Sequence, residues 1–500
     1  MNFMKTLLLF IPLFFVLNLS AATIFVTQNG AGSQDGSSWS NSFSAINLQT
    51  AINNAQVNDE IWVACGTYFP TTSSYRSLSF SMRNGVSIFG GFIGTEMSLS
   101  ERDLTCSSCS ILSGDIGTQN VLFDNSYHVI FNQNLDESAL IDGFQILNGY
   151  DDRATTGNEG LGGGIYNGGS GAGNFCNPTI LNCLFRNNHA GFGGGIFDNG
   201  FSGGNASPHV ENCYFEENTA FSGGGAMDNF GLDGNASPTL INCVFFNNSA
   251  PSAGGIYCWG GGTGRSTPII LNCTFNSNQA TNGNAGAIMC DNSDWGGTNF
   301  DGNCHISVRN SIFWGNDAAL DGLQFCIKGT ATFDATYSCI DTVNQTNMNP
   351  ISGSNIGNIF VNPNFVNPTL IDNCLFDSQD AFMLNQNSPC INSGENANVA
   401  STDIAGNARI SNNIVDMGAY ERLEITTQIE KLSQVYFEVY PNPVNETLNF
   451  SVYLEEFTIK NNLGQEIFSG KGNSVSSENL NDGIYFLKTN ESCFKFIVKH

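Results

Sequence analysis

Basic residues are scarce in this chain. Lys and Arg together number 17 against 44 Asp and Glu, and the formal net charge is −27. Such a surface repels phosphates, which excludes nucleic acid and an anionic membrane as partners. The eight lysines are unevenly spread, and six of them lie at or after Lys431. Histidine is rarer still, at 5, and no His-Glu-x-x-His stretch occurs. Long apolar runs are missing after the first 22 residues, so no membrane span is expected in the mature chain. Long helical periodicity is missing too. Phe43 to Ala55 is the one amphipathic stretch, with Phe43, Ile46, Leu48, Ala51 and Ile52 apolar. No Gly-rich segment is followed by a helix or a Gly-Lys-Ser/Thr, so no phosphate loop is expected.

What the chain has instead is a repeat. Pro recurs at Pro178, Pro208, Pro238 and Pro268, and an Asn-Cys pair at Asn182-Cys183, Asn212-Cys213, Asn242-Cys243 and Asn272-Cys273. Phe recurs at Phe185, Phe215, Phe245 and Phe275. Asn188, Asn218, Asn248 and Asn278 follow, with Ala190, Ala220, Ala250 and Ala280 two places later. The spacing is 30 throughout, and this periodicity marks a solenoid. The apolar runs are short, β-branched or aromatic, and broken by Asn, Gly and Ser, which is strand chemistry. Ile180, Val210, Leu240 and Ile270 are expected to face inward. Strict alternation would then turn Phe185 outward. A bend at each Asn in the left-handed conformation resets the parity and sends Cys183 and Phe185 inward. A unit of short strands that cannot bury its own face stacks on its neighbours, as a parallel β-helix with ladders of like residues about 4.8 Å apart. The Cys ladder then reads as small buried apolar groups.

Around this core, Met1 to Ala22 reads as a signal peptide, with Lys5, an apolar run from Leu7 to Leu17, and small residues at Ser20 and Ala22. Residues 23–138 hold a helical cap and the first coils, 139–422 the regular solenoid, 423–434 a polar linker and 435–500 a separate tail. Cys106-Ser-Ser-Cys109 lacks the βαβ setting of a redox motif. The tail has alternating strands at Thr447 to Val452, Phe457 to Lys460, Gly483 to Lys488 and Phe494 to Lys499, which reads as a small β-sandwich. The fold class is therefore all-β: a right-handed parallel β-helix with an N-terminal helical cap, then a C-terminal β-sandwich.

Three resemblances follow from these residues. The Phe-x-x-Asn-x-Ala elements and Gly193-Gly194-Gly195-Ile196-Phe197 resemble polymorphic outer membrane protein repeats. Ser388-Pro389-Cys390-Ile391-Asn392-Ser393-Gly394, Asp403-Ile404-Ala405-Gly406-Asn407-Ala408-Arg409 and Asp416-Met417-Gly418-Ala419-Tyr420-Glu421 resemble the closing region of the choice-of-anchor Q group. The tail resembles the type A C-terminal sorting domain of the type IX secretion system of Bacteroidota, through Pro441, Asn442, Pro443, Gly483, Tyr485 and Lys495. That resemblance implies passage through the type IX machinery to the outer surface or the medium.

The body admits two functional expectations. The first is a non-catalytic adhesin or glycan-binding rod, with roughly ten to thirteen coils spanning about 50–60 Å. In the Gly-rich strands Ile165, Ile196, Ala226, Ile256 and Ile288 are expected inside. Tyr166, Phe197, Met227, Tyr257 and Met289 are then outside, and Tyr166, Phe197 and Tyr257 form an aromatic stripe suited to sugar rings. The alternative is that loops such as 168–174 or 199–207 fold over it. Asp198, Asp228 and Asp291 end the same strands and would line up to hold calcium, or be solvated turn carboxylates. The second expectation is a polysaccharide lyase or hydrolase. A lyase would draw its base from Lys328, Arg186, Arg265 or Arg309, and a hydrolase would use a carboxylate pair such as Asp198 and Asp228. Gly200-Phe201-Ser202-Gly203-Gly204 matches a nucleophile motif without its strand–turn–helix setting.

Overall fold

The computed structural model describes residues 21–104, 109–153, 160–294, 296, 301–320, 322–342, 356–368, 382–423, 438–489 and 493–500. The expected signal peptide up to Ser20, the Cys106 end of the Cys-x-x-Cys pair and the linker beyond Leu423 lie outside them. The chain divides into two units, Met1–Leu423 and Glu424–His500.

One coil shows how the sequence makes the first unit. Thr179–Leu181 is a strand with Ile180 buried, and Asn182 then turns the chain at φ 49°. Leu184–Arg186 follows, then a second left-handed corner at Asn187 (φ 55°) and the short strand His189–Ala190. A glycine turn leads into Ile196–Asn199. These four strands define faces I to IV. Each pairs in parallel with the next coil: Ile180 with Val210, Phe185 with Phe215, Ala190 with Ala220, and Ile196 with Met227. The winding is a right-handed parallel β-helix. The asparagine bend recurs at Asn212, Asn242, Asn272 and Asn310, with φ between 51° and 54°. Asn is the residue that visits this conformation most readily after glycine, so the corner and the sequence ladder have one cause.

Three ladders fill the interior. The rings of Phe185, Phe215, Phe245, Phe275 and Phe313 stack at 4.4–4.7 Å with interplanar angles of 11° or less. Asn188, Asn218, Asn248, Asn278 and Asn316 run alongside, fully buried or nearly so. Cys183, Cys213, Cys243 and Cys273 are free and buried. Each thiol donates to the carbonyl two residues before it, at 3.1–3.3 Å. Ser311 and Ser338 continue this ladder and donate to Arg309 O and Thr336 O. Cys243→Ser is therefore expected to keep the fold and shift the thermal midpoint by little, within ~1 kcal/mol. A change of several kcal/mol in a melt would show that the sulfur packing, not the rung geometry, matters.

The register on face IV departs from the expected one. The turn between faces III and IV is one residue longer in the Ala220–Met227 coil than in the Ala190–Ile196 coil. Ile196 therefore pairs with Met227, Phe197 with Asp228 and Asp198 with Asn229. Met227, expected outside, lies in the main core, and Ala226 sits one place before the strand.

At the N-terminal end the expected helix is shorter than its apolar pattern. Phe43 pairs as a strand with Val26, and the α-helix is Leu48–Asn54. Its Leu48, Ala51 and Ile52 join the main core. Phe80 adds one parallel bridge, to Ile130. Residues 382–422 do not extend the stack. They form a strap along the outside of face II, where Phe382, Leu384, Cys390, Met417 and Tyr420 cover Val244, Phe246 and Ile312. Asn272 Nδ2 donates to Asp416 O, and Gly418 N to Asn310 O. Arg409, 1% exposed, ties the strap together by donating to Ala419 O and Asp416 O.

The second unit is an antiparallel sheet over its own core of Val444, Leu448, Phe450, Ile459, Leu487 and Phe496. The two strands expected at Thr447 and Phe457 are one strand, Thr447–Asn461.

Candidate binding surface

The left-handed corners between faces II and III are Asn148, Asn187, Glu217, Asn247 and Ser277, with φ of 54–62°, and Gly315. Each reverses the chain enough to leave a concave angle. The residue two places on faces outward, because the Ala after it and the Asn before it face in. This makes an outward row in parallel register, half-buried at His189, Thr219 and Ser249 and exposed at Gln279 and Asp317. Tyr150 extends it through a bridge to His189. Corner and row together line a trough of about 450 Å³ from Glu217 to Asp317. Depressions of about 410 Å³ beside Gln145, Arg186 and Asn187, and of about 580 Å³ beside Phe69, Ser113 and Asn148, lie on the neighbouring strands of face II. The two depressions share Ile111, Leu147 and Asn148. Toward the C-terminal coils the same face is covered by the strap.

The chemistry of this surface is mostly neutral. Amides and hydroxyls repeat along it at the strand spacing of about 4.8 Å. Arg186 is held by Glu216, with Nε donating at 2.8 Å. Asp115 accepts from Asn120 N at 3.1 Å. At one end of the row sits an aromatic group. The Tyr150 and His189 rings stack at 4.8 Å and 20°. Phe123 packs edge-on to Tyr150 and Phe221 edge-on to His189. Phe123 is 69% exposed and Phe221 56%. Burial lowers the His189 imidazole below its usual range, against the opposing pull of Asp152 and Asp151, so it is neutral near pH 7. His189 Nδ1 lies 2.6 Å from Thr219 Oγ1, which fixes the ring plane.

The stripe read from the sequence lies elsewhere. Tyr166, Phe197 and Tyr257 do point out from face IV, but they are 0%, 3% and 9% exposed. The segment before each strand covers them. Leu161 packs with Tyr166 and Phe197, and Phe192 against them, while Ala253 and Ala285 pack with Tyr257 and Met289. The glycines there permit the contact, since a Cβ on Gly223 would meet the Phe192 ring at 2.4 Å. Asn199, where one of the expected loops begins, donates to Tyr166 Oη at 2.8 Å.

The carboxylates are not brought together either. Asp198 points inward and accepts from Asn167 Nδ2, whereas Asp228 points outward in the row of Phe197. Burial lifts each to about 8. Asp291 accepts from Tyr257 Oη and pairs with Lys328 at 3.5 Å. Among the described residues, no group of three or more His, Cys, Asp or Glu is arranged to hold a metal ion. The basic residues named for a lyase are dispersed: Arg265 donates to Asn235 Oδ1 and Arg309 pairs with Glu395.

In the tail, the residues singled out in the sequence act on the last strand. Asn442 Oδ1 accepts from Ile497 N, and its Nδ2 donates to Lys495 O. Gly483, Tyr485 and Phe486 pair with Val498, Phe496 and Lys495.

Residues 438–499 match the family model described as the secretion system C-terminal sorting domain. The chain thus carries a type IX sorting domain and is exported to the cell surface or the extracellular space. No curated protein matches it. Among solved structures it is similar to the crystal structure of pectate lyase Pel9A, at 14% identity and a TM-score of 0.34, over 81% of this chain and 98% of that one. No helix among the described residues is long and apolar enough to cross a membrane.

Proposed function

We propose that this exported protein is a non-catalytic carbohydrate-binding adhesin that holds a polysaccharide strand in the trough beside faces II and III. The observation that carries this reading is the outward row Tyr150–His189–Thr219–Ser249–Gln279–Asp317, with its aromatic end and mostly neutral polar length. Ring faces stack on the apolar faces of sugars, and amides and hydroxyls exchange hydrogen bonds with their hydroxyls. A rigid stacked frame holds these groups in place before binding, which lowers the ordering cost. The type IX machinery is its partner in export, and extracellular polysaccharide its partner afterwards.

The test is binding of the purified body to a glycan array, with calcium and with EDTA, while new reducing or unsaturated ends are assayed. Binding without product is the expected result. Tyr150→Ala with Phe221→Ala is expected to weaken it about tenfold or more, at ~1 kcal/mol or so per lost ring contact. Tyr166→Ala, beneath its cover, is expected to destabilise the fold instead. Product formation would overturn the non-catalytic reading, and loss of binding in EDTA would place calcium in the site.

A further inference from the structure

The strap meets face II at the Cys339–Ile340 strand by more than packing. Cys339 occupies the outward row of that face, next to Ile312 in parallel register. Cys390 comes from the strap and lies in the same apolar cluster, facing that row from the other side. Both are 0% exposed free thiols. Cys339 Sγ donates to Val361 O at 3.1 Å, and Cys390 is the neighbour that most raises the Cys339 thiol. Their backbones are fixed independently of each other: Cys339 N donates to Ser311 O, and Cys390 O accepts from Met417 N.

We propose that Cys339 and Cys390 form a disulfide in the exported protein, which locks the strap onto the β-helix. The two S–H bonds break and one S–S bond forms. The two protons pass to solvent, and the two electrons pass to a protein disulfide of a thiol oxidoreductase, which is reduced to a dithiol. Exported compartments sustain that chemistry, and the sorting tail places the chain there. Because both sulfurs are buried in the folded protein, oxidation accompanies docking of the strap. The finished bond is then shielded from reductant.

The same reasoning leaves the ladder thiols reduced. Cys183, Cys213, Cys243 and Cys273 are in-register neighbours on parallel strands, about 4.8 Å apart with side chains pointing the same way. Disulfides need Cβ atoms about 3.5–4.5 Å apart, so these cannot close without moving the backbone. Cys339 and Cys390 escape that limit because they approach across an interface. Cys290 and Cys304, which are disulfide-bonded, likewise come from different strands.

The experiment is peptide mapping of the exported wild-type chain, unfolded without reductant in the presence of an alkylating agent. The expected result is a Cys339 peptide joined to a Cys390 peptide, two hydrogens lighter than their sum, with alkyl groups on all four ladder cysteines. Cys390→Ser is expected to leave Cys339 alkylated and Cys290–Cys304 intact. Quantitative alkylation of Cys339 and Cys390 in the wild type would overturn the proposal. Linkage between ladder cysteines with Cys339 free would overturn it as well.

Discussion

Asp198→Asn is expected to stabilise the protein, by on the order of 2–4 kcal/mol at pH 7. Asp198 stands in an inward ladder of amides on face IV. Asn132 Nδ2 donates to Asn167 Oδ1 at 3.1 Å, and Asn167 Nδ2 to Asp198 Oδ1 at 2.8 Å. One coil on, Asn229 Nδ2 donates to Cys258 Sγ. Between these, Asp198 Oδ2 and Asn229 Oδ1 are in-register neighbours, both buried, and neither has a hydrogen-bond partner. Two acceptors side by side need a proton between them. A neutral Asp198 supplies it, and burial pushes its carboxyl up to about 8. Asp228, on the next strand, is itself raised by burial and further by the Asp198 charge, and the Cys176 and Cys258 thiols are the other titratable groups close by. The folded state thus keeps a proton that the unfolded chain, titrating near 3.8, gives up. Stability is therefore highest at acid pH and falls as pH rises from about 4 to about 8, with Asp228 adding to the slope. Asn supplies the same N–H at every pH. Thermal melts from pH 5 to 8 should show Asp198→Asn with a higher midpoint and a shallower decline. A lower midpoint across that range would mean that a charged Asp198 is what the ladder holds.

Asn248→Ala is expected to cost about 3 kcal/mol or more. Its Nδ2 donates to Phe215 O at 2.8 Å and to Asn278 Oδ1 at 2.9 Å, and its Oδ1 accepts from both Asn218 N and Asn218 Nδ2 at 3.0 Å. Alanine takes a partner from four buried groups on two other coils; Asn278 Oδ1 keeps Asn248 N and Asn218 Nδ2 keeps Phe185 O, whereas Phe215 O and Asn218 N lose the bond to this side chain, at roughly 1–3 kcal/mol each. Coils couple mainly to their neighbours, so the damage should be local. Amide hydrogen exchange is expected to speed up in 215–218 and 278 first. Asn247→Gly, one residue away, exposed and able to keep the left-handed φ of 54°, is the control and should shift little. Equal effects at 247 and 248 would remove the ladder from the account.

The fold was legible because its causes are local. A left-handed Asn, a Phe ladder and a 30-residue period each constrain one coil, and stacking repeats the result. The inward Cys and Phe positions followed from one assumption, the bend at Asn182, and the corner has the φ that assumption requires. The face IV register was missed because a single extra residue in a glycine turn shifts a strand without altering its composition. That shift moved Met227 in and set Asp228 apart from Asp198. The aromatic stripe was misplaced for another reason. Period-two alternation tells which way Tyr166 points from its strand, but not that Leu161 and Phe192, ahead of the strands, pack over it. The exposed group needed long-range facts: Tyr150 reaches His189 only through the stack, and Phe123 and Phe221 arrive from separate turns. One signal was present. In Asn188-His189-Ala190 and Asn218-Thr219-Ala220 the residue between two inward positions has to face out.

The most direct test of the trough is hydrogen–deuterium exchange of the body with and without a saturating array-selected oligosaccharide. Slower exchange confined to the row and its corners, at 148–150, 187–190, 217–220, 247–250, 277–280 and 315–318, with face IV unchanged and the oligosaccharide recovered intact, is the predicted result. Protection centred on 165–168, 196–199 and 256–259, or recovery of a shortened oligosaccharide, would contradict it.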